Sequence, residues 1–362
     1  MPRCYLDEAW EVTMKLVLVA IATLVSLSLG GGPFNPTPLN TSLLALSDSA
    51  PQLNQQTSEV SPDVRAQIDK LSSSSATDRA EAACRLGELK ATQAIPSLIK
   101  LLGDDNEVTQ PVCGEKSRWG DSQLSKTTPG EMAAVSLSRM GRQAVEPLLG
   151  ALKSDVWQAR ANSAFALGLL RDDRNVEPLI NATRDSYWQV RSRAVWSLGL
   201  VGDYRAVEPL TLALKDGEEK VRAQAAWALG LKGDERSVES LVAALNDSSP
   251  DVQSQAAWAL GLKGDSRAVE PLAVALQSSA QHVRSQAAWA LGLKGDSRAV
   301  DPLIAALHDT DAQVRSQAAW ALGLKGDRRA VEPLKELLND QNEHVRKQAA
   351  WALRLRGMKE RE

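Results

Sequence analysis

Ten tryptophans stand against two phenylalanines and three tyrosines in this chain. Six of them, Trp196, Trp227, Trp258, Trp289, Trp320 and Trp351, recur at one unchanging interval. An indole offers a large, stiff apolar face and one N–H donor, which suits a binding hot spot. Gln224, Gln255, Gln286 and Gln317 each precede one of these tryptophans by three residues, and Leu231, Leu262 and Leu293 follow at four. At 100° per residue these three rows share one side of a helix. They make a candidate binding ladder, and the same rows could instead seal one repeat against the next. Trp157, Tyr187 and Trp188 form a second aromatic group, with Tyr204 beyond it. Trp157 and Trp188 share a repeat position that later holds Glu219, Pro250, Gln281, Ala312 and Glu343. An aromatic group confined to the third to fifth pairs reads either as a local site or as a lid over irregular early repeats beside the insertion.

Reactive chemistry is sparse. His282 and His344 lie two repeats apart, too far to share a metal with bonds near 2.0–2.1 Å. No phosphate-cradling glycine loop or nucleophile elbow is present. No catalytic residue, metal site or cofactor is expected. Cys84 and Cys113 are candidates for a disulfide, with two free thiols as the alternative. Arg160, Arg191, Arg222, Arg284, Arg315 and Arg346 form a row that Gln253 interrupts. Asp203, Asp234, Asp265, Asp296 and Asp327 are its expected acidic complement, in a structural ladder of charge-assisted hydrogen bonds.

The elements that position these rows follow from the same period. Asp296 is a good N-cap. Val300, Leu303, Ile304 and Leu307 give a helix A over Arg298–Leu307, and the polar turn His308–Asp311 leads to a helix B over Ala312–Leu322, ended by Gly323 and Gly326. One such pair cannot bury its apolar face, but stacked pairs can. Nine pairs are expected, near 64–89, 92–140, 143–168, 174–199, 205–230, 236–261, 267–292, 298–323 and 329–355. The fold class is all-α, an α-solenoid over 63–356, with an insertion at 103–130 and a polar tail at 357–362. The second pair carries that insertion, which holds Cys113 and Trp119.

The net charge of −3 gives no basic surplus to neutralise a phosphate backbone, which argues against nucleic acid as a partner. Residues 1–30 read as an export signal or anchor. Their apolar run, Leu16 to Leu29, is shorter than the ~18 residues of a spanning helix and fits a signal-peptide core. Met14–Lys15 directly precedes it, which makes Met14 the expected start. Residues 31–62 read as a Pro/Ser/Thr-rich linker. The chain is therefore expected outside the cytoplasm, with membrane contact only through an uncleaved N-terminal segment.

Units such as VRSQAAWALGLKGDSRAVDPLIAALHDTD resemble the HEAT-like repeats named after phycobilisome lyases, over roughly Val64 to Arg356. The resemblance implies a superhelix whose concave face holds the ligand, and it extends to lyase subunits, hydroxylases, sensors and adaptors. Hydroxylases of similar build hold iron with His–Glu dyads. Here His282, His308 and His344 are followed by Val283, Asp309 and Val345, so the dyad is missing. Lyase chemistry of that family is cytosolic and fits export poorly. The expectation is thus a non-catalytic scaffold, not an enzyme, binding a protein or peptide, with a glycan as the other candidate. A lyase-type or hydroxylase-type enzyme or subunit is the alternative.

Overall fold

The computed structural model describes residues 60–109 and 126–359, with side chains to 355. The export segment, most of the linker, Cys113 and Trp119 lie outside the described residues. Within them the chain forms nine antiparallel helix pairs. The pairs are α1 (Pro62–Lys70) with α2 (Ala76–Glu88), α3 (Ile95–Leu101) with α4 (Pro129–Arg139), and α5 (Val145–Ala151) with α6 (Trp157–Leu170). Then come α7 (Val176–Ala182) with α8 (Trp188–Val201), α9 (Val207–Ala213) with α10 (Glu219–Lys232), and α11 (Val238–Ala244) with α12 (Pro250–Lys263). The series ends with α13 (Val269–Ala275) and α14 (Gln281–Leu293), α15 (Val300–Ala306) and α16 (Ala312–Lys325), and α17 (Val331–Glu336) and α18 (Glu343–Lys359). The odd-numbered helices are the A helices and the even-numbered ones the B helices. The insertion is pinned at its base by an antiparallel bridge between Val108 and Thr127.

Local chemistry sets the boundaries. The Asp of each Gly–Asp pair caps a short 3₁₀ turn, as Asp296 does by accepting from the Arg298 amide, and the A helix proper starts only at Val300. The expected helix A therefore splits into a turn and a helix. Helix B runs longer than expected. Gly323 lies inside α16, and the helix stops at Gly326, which has φ +66° in the left-handed region. Gly323 is there for space, as follows.

Successive B helices pack side by side along their length, while successive A helices scarcely meet. Elements packed closely on one side and splayed on the other curve the stack, so the B helices line the inner surface. Small residues permit the approach: Ala225, Ala226, Ala228 and their equivalents are fully buried. One glycine per B helix is the closest point. A Cβ at Gly199 would lie 2.6 Å from the Trp227 ring of the next repeat, one at Gly261 2.6 Å from Trp289, and one at Gly323 2.9 Å from Trp351. Gly230 meets Trp258 in the same way. From Gly199 onward each such glycine is a socket for the tryptophan of the following repeat, whereas Gly87 and Gly168 meet Ser136 and Ser197. In the ninth pair Arg354 occupies the socket position.

The socket makes an opposed pair of effects measurable. Alanine is a better helix former than glycine by about 1 kcal/mol. At Gly261 the added methyl would overlap Trp289, which is only 4% exposed, and overpacking of this kind costs about 1–3 kcal/mol. Gly261→Ala should therefore lower the melting temperature. A raised melting temperature would show the socket to be loose.

Candidate functional site

Repeats are clamped through the arginine row. The Arg191 guanidinium donates from Nε to Oδ2 of Asp216 at 2.7 Å and from Nη2 to Oδ1 at 2.8 Å. Its Nη1 donates to the carbonyls of Asp185 and Ser186 in its own repeat. Arg160–Asp185, Arg222–Asp247, Arg284–Asp309 and Arg315–Asp340 repeat the clamp with Nε–Oδ2 distances of 2.7 to 2.8 Å. These side chains are largely buried. Each aspartate also accepts a backbone amide two residues on, as Asp216 does from Glu218, and so shapes the turn before the next B helix.

This corrects the expected pairing. The acidic partners of the arginine row lie in the A–B turns of the next repeat. Asp203, Asp234, Asp265, Asp296 and Asp327 instead pair with Arg205, Arg236, Arg267, Arg298 and Arg329 two residues on. Those arginines reach back to the preceding repeat: Arg205 to Glu177 at 3.2 Å, Arg298 to Glu270 at 2.8 Å, and Arg329 to Asp301 at 2.7 Å. This second ladder is solvent-exposed and contributes little per pair.

The candidate binding ladder is mostly inter-repeat packing. Trp227, Trp258 and Trp289 are 9%, 4% and 4% exposed, which leaves too little indole for a partner to grip. Trp196, Trp320 and Trp351 are half-buried, as are Gln224, Gln255, Gln286 and Gln317. Toward the early repeats the rings stack on one another: Phe165 lies 5.1 Å from Trp196, and Trp196 6.3 Å from Trp227 at an interplanar angle of 7°. Arg193 stands where later repeats have glutamine. Its guanidinium lies 4.6 Å over Phe165 and reaches Glu131 at 2.7 Å, strapping α8 to α4 across α6.

The second aromatic group is assembled. Trp157 opens α6, Tyr187 caps α8 and Trp188 opens it. The Trp157 and Tyr187 rings stack at 5.7 Å and 14°. The Arg160 guanidinium sits 5.6 Å from the Tyr187 ring, and the Lys220 ammonium 4.8 Å over Trp188. Tyr187 stays 45% exposed and its neighbour Val156 47%. Tyr204 does not join them, since it follows the far end of α8, about 21 Å away by helical rise.

Cys84 is disulfide-bonded and buried in α2, at the repeat position of the later tryptophans. Its expected partner, Cys113, lies outside the described residues. No group of three or more His, Cys, Asp or Glu that could hold a metal occurs among the described residues. No described helix is long and apolar enough to cross a membrane. Burial pushes the Lys294 ammonium down to about 8, where it donates to the Gly264 carbonyl of the preceding repeat at 2.7 Å.

Stacked helix pairs, an inner layer of B helices and clamps at a fixed offset define the class: an α-solenoid. The chain belongs to the HEAT-repeat family. The profile described as HEAT repeats matches residues 176–249, 238–313 and 300–361, just over half of the sequence. The profile described as PBS lyase HEAT-like repeat matches 78–104 and 159–185. Among solved structures, the Escherichia coli protein YibA is 22% identical with a TM-score of 0.53, covering 74% of this chain and 96% of its own. Kap95p, solved with RanGDP, is 15% identical with a TM-score of 0.59, covering 81% of this chain and 47% of its own. The CpcE–CpcF complex of phycocyanin lyase from Nostoc sp. PCC7120 is 20% identical with a TM-score of 0.37, covering 79% and 98%. No curated protein matches the sequence. The expectation that the chain is no enzyme is corrected by these matches. Its repeats include the type described as PBS lyase HEAT-like, which conflicts with a flat exclusion of enzyme activity.

The clamp gives a signed pH dependence. Burial pushes the Asp216 carboxyl up, but hydrogen bonds from Arg191 and the Glu218 amide outweigh it and hold it below the usual carboxylate range. Asp185, Asp247 and Asp309 are held low by the same balance. An aspartate lowered in the folded state stabilises above its unfolded pKa of about 3.9, and that stability is lost as pH falls through the folded value. The melting temperature should hold near neutrality and drop steeply below about pH 4. A melting temperature unchanged across that range would contradict the clamp.

Proposed function

We propose that this chain is an exported scaffold that holds a protein or peptide partner, and that the stacked aromatic edge at Val156, Trp157, Tyr187 and Trp188 is its principal contact. One observation carries the reading. Tyr187 is kept exposed there and stacks on the half-buried Trp157 beside the half-buried Trp188, whereas Trp227, Trp258 and Trp289 are sealed into packing. Stacked rings lose little conformational freedom on binding and offer apolar area with a polar edge. Kap95p, a similar solenoid, was solved with RanGDP bound, which supports a protein partner. Export is supported by the apolar run after Met14–Lys15 and by the disulfide at Cys84, which belongs in an oxidising compartment.

A second reading is a subunit of a lyase-type enzyme. The PBS lyase profile over 159–185 favours it, because that unit begins beside the aromatic edge. Visible absorption of the purified protein after incubation with a bilin separates the two.

The test is affinity capture from envelope extract with the wild-type chain, with Trp157→Ala/Tyr187→Ala and with Trp258→Ala. The edge variant should melt as the wild type does and lose its partner, with a loss of about 2 kcal/mol or more at a hot spot. Trp258→Ala should be destabilised by about 3–5 kcal/mol. Undiminished capture by the edge variant would overturn the assigned contact. An intact cytosolic chain beginning at Met1 would overturn export.

A further inference from the structure

The clamp between repeats is missing at one place in the regular array. Between the sixth and seventh pairs, Gln253 stands where the other repeats have arginine, and Ser278 stands where the facing turns have aspartate. Both partners are replaced together, so neither a guanidinium nor a carboxylate is left buried alone. The local duties survive. Gln253 still donates to the Asp247 carbonyl at 2.6 Å, as the arginines do within their own repeats. Ser278 still accepts the Ala280 amide and shapes the turn before α14. Only the bond across the interface is lost.

What remains lies away from the clamp position, and at the C-terminal ends of α12 and α14 Lys294 donates to the Gly264 carbonyl at 2.7 Å. Trp289 fills the Gly261 socket on the inner surface. Arg267 reaches Glu239 at 3.2 Å on the outside, with both groups exposed. At the edge where α12 and α14 begin, His282 lies 3.6 Å from Asp251, and both are again exposed. Every other interface from the third pair to the ninth carries a largely buried bidentate clamp. Gln253 and Ser278 line an open groove of about 620 Å³ between α11 and α13, walled by Val242, Pro271 and Val274. In the equivalent groove between α5 and α7, the matching wall position is Asp185, which the Arg160 clamp engages.

We infer that the interface between α12 and α14 is a built-in joint, about which the seventh to ninth pairs swing as one arm against the pairs before them. The inner socket is its axis. The missing clamp lies off that axis, so its absence frees the splaying of the outer edge without opening the core. A joint here lets the array change curvature at one point and keep the aromatic edge, three repeats away, undisturbed.

The test uses the full chain, with spin labels carried on unnatural amino acids at exposed sites. One pair, at Lys215 and His308, spans three interfaces including the joint. The other, at Lys153 and Asn246, spans three clamped interfaces in the same repeat register. Pulsed-dipolar distances should be more broadly distributed for the first pair than for the second. Gln253→Arg/Ser278→Asp, which supplies both halves of the clamp, should narrow the first distribution to the width of the second. If that variant does not fold, Arg222→Gln/Asp247→Ser transplants the gap to the preceding interface and should broaden the second pair. Equal widths in the wild type would overturn the joint. So would widths that respond to neither variant.

Discussion

A bidentate ion pair between an arginine at the start of one B helix and an aspartate in the next A–B turn is the interaction on which this solenoid's regularity depends. A single helix pair buries too little surface to stand alone, so each repeat's conformation is specified at its contacts with its neighbours. The hydrophobic layer supplies most of the energy but little direction. The clamp supplies direction: four of the guanidinium's donors are aimed at two carboxylate oxygens and two carbonyls. Because the aspartate also caps its own turn, one residue fixes both the local bend and the spacing to the repeat before it.

The same arrangement explains how the array tolerates exceptions. A largely buried charge cannot lose its partner cheaply, so the clamp is either complete or wholly absent. Residues 253 and 278 show the second state. In the ninth pair, Arg346 keeps its bonds to the carbonyls of Asp340 and Gln341, while Arg354 fills the position of a socket glycine. Trp157 and Trp188 stand at a position that varies between repeats, and there they contact Tyr187 and Lys220 of the repeats that follow.

Much of this was legible in the sequence because the period is strict. The nine pairs, the all-α solenoid and the helix ends near Gly326 follow from one interval and from capping rules. The partners of the arginine row were misassigned because two aspartate rows share that interval, and a period alone cannot say which acid lies across an interface. The pairing was nevertheless available as a signal: Ser278 departs from one aspartate row where Gln253 departs from the arginine row. The burial of Trp258 and Trp289 was not legible, because a helical wheel shows which side a residue faces and not how near the next helix comes. The glycine three residues after each tryptophan from Trp196 to Trp320 held that information, as a socket for the next indole rather than a helix end. The resemblance to a family of mixed activities could exclude neither binding nor catalysis.

The central claim is that the clamp acts as a single unit, and a double-mutant cycle at Arg191 and Asp216 tests it most directly. Chemical denaturation would be followed for Arg191→Gln, Asp216→Ser and the double variant, which copies the pair found at 253 and 278. The double variant should cost less than the sum of the two single losses, with a coupling of about 0.5–3 kcal/mol. Single losses that simply add would mean that the arginine and aspartate stabilise their own turns independently and that the repeats are held by apolar packing alone.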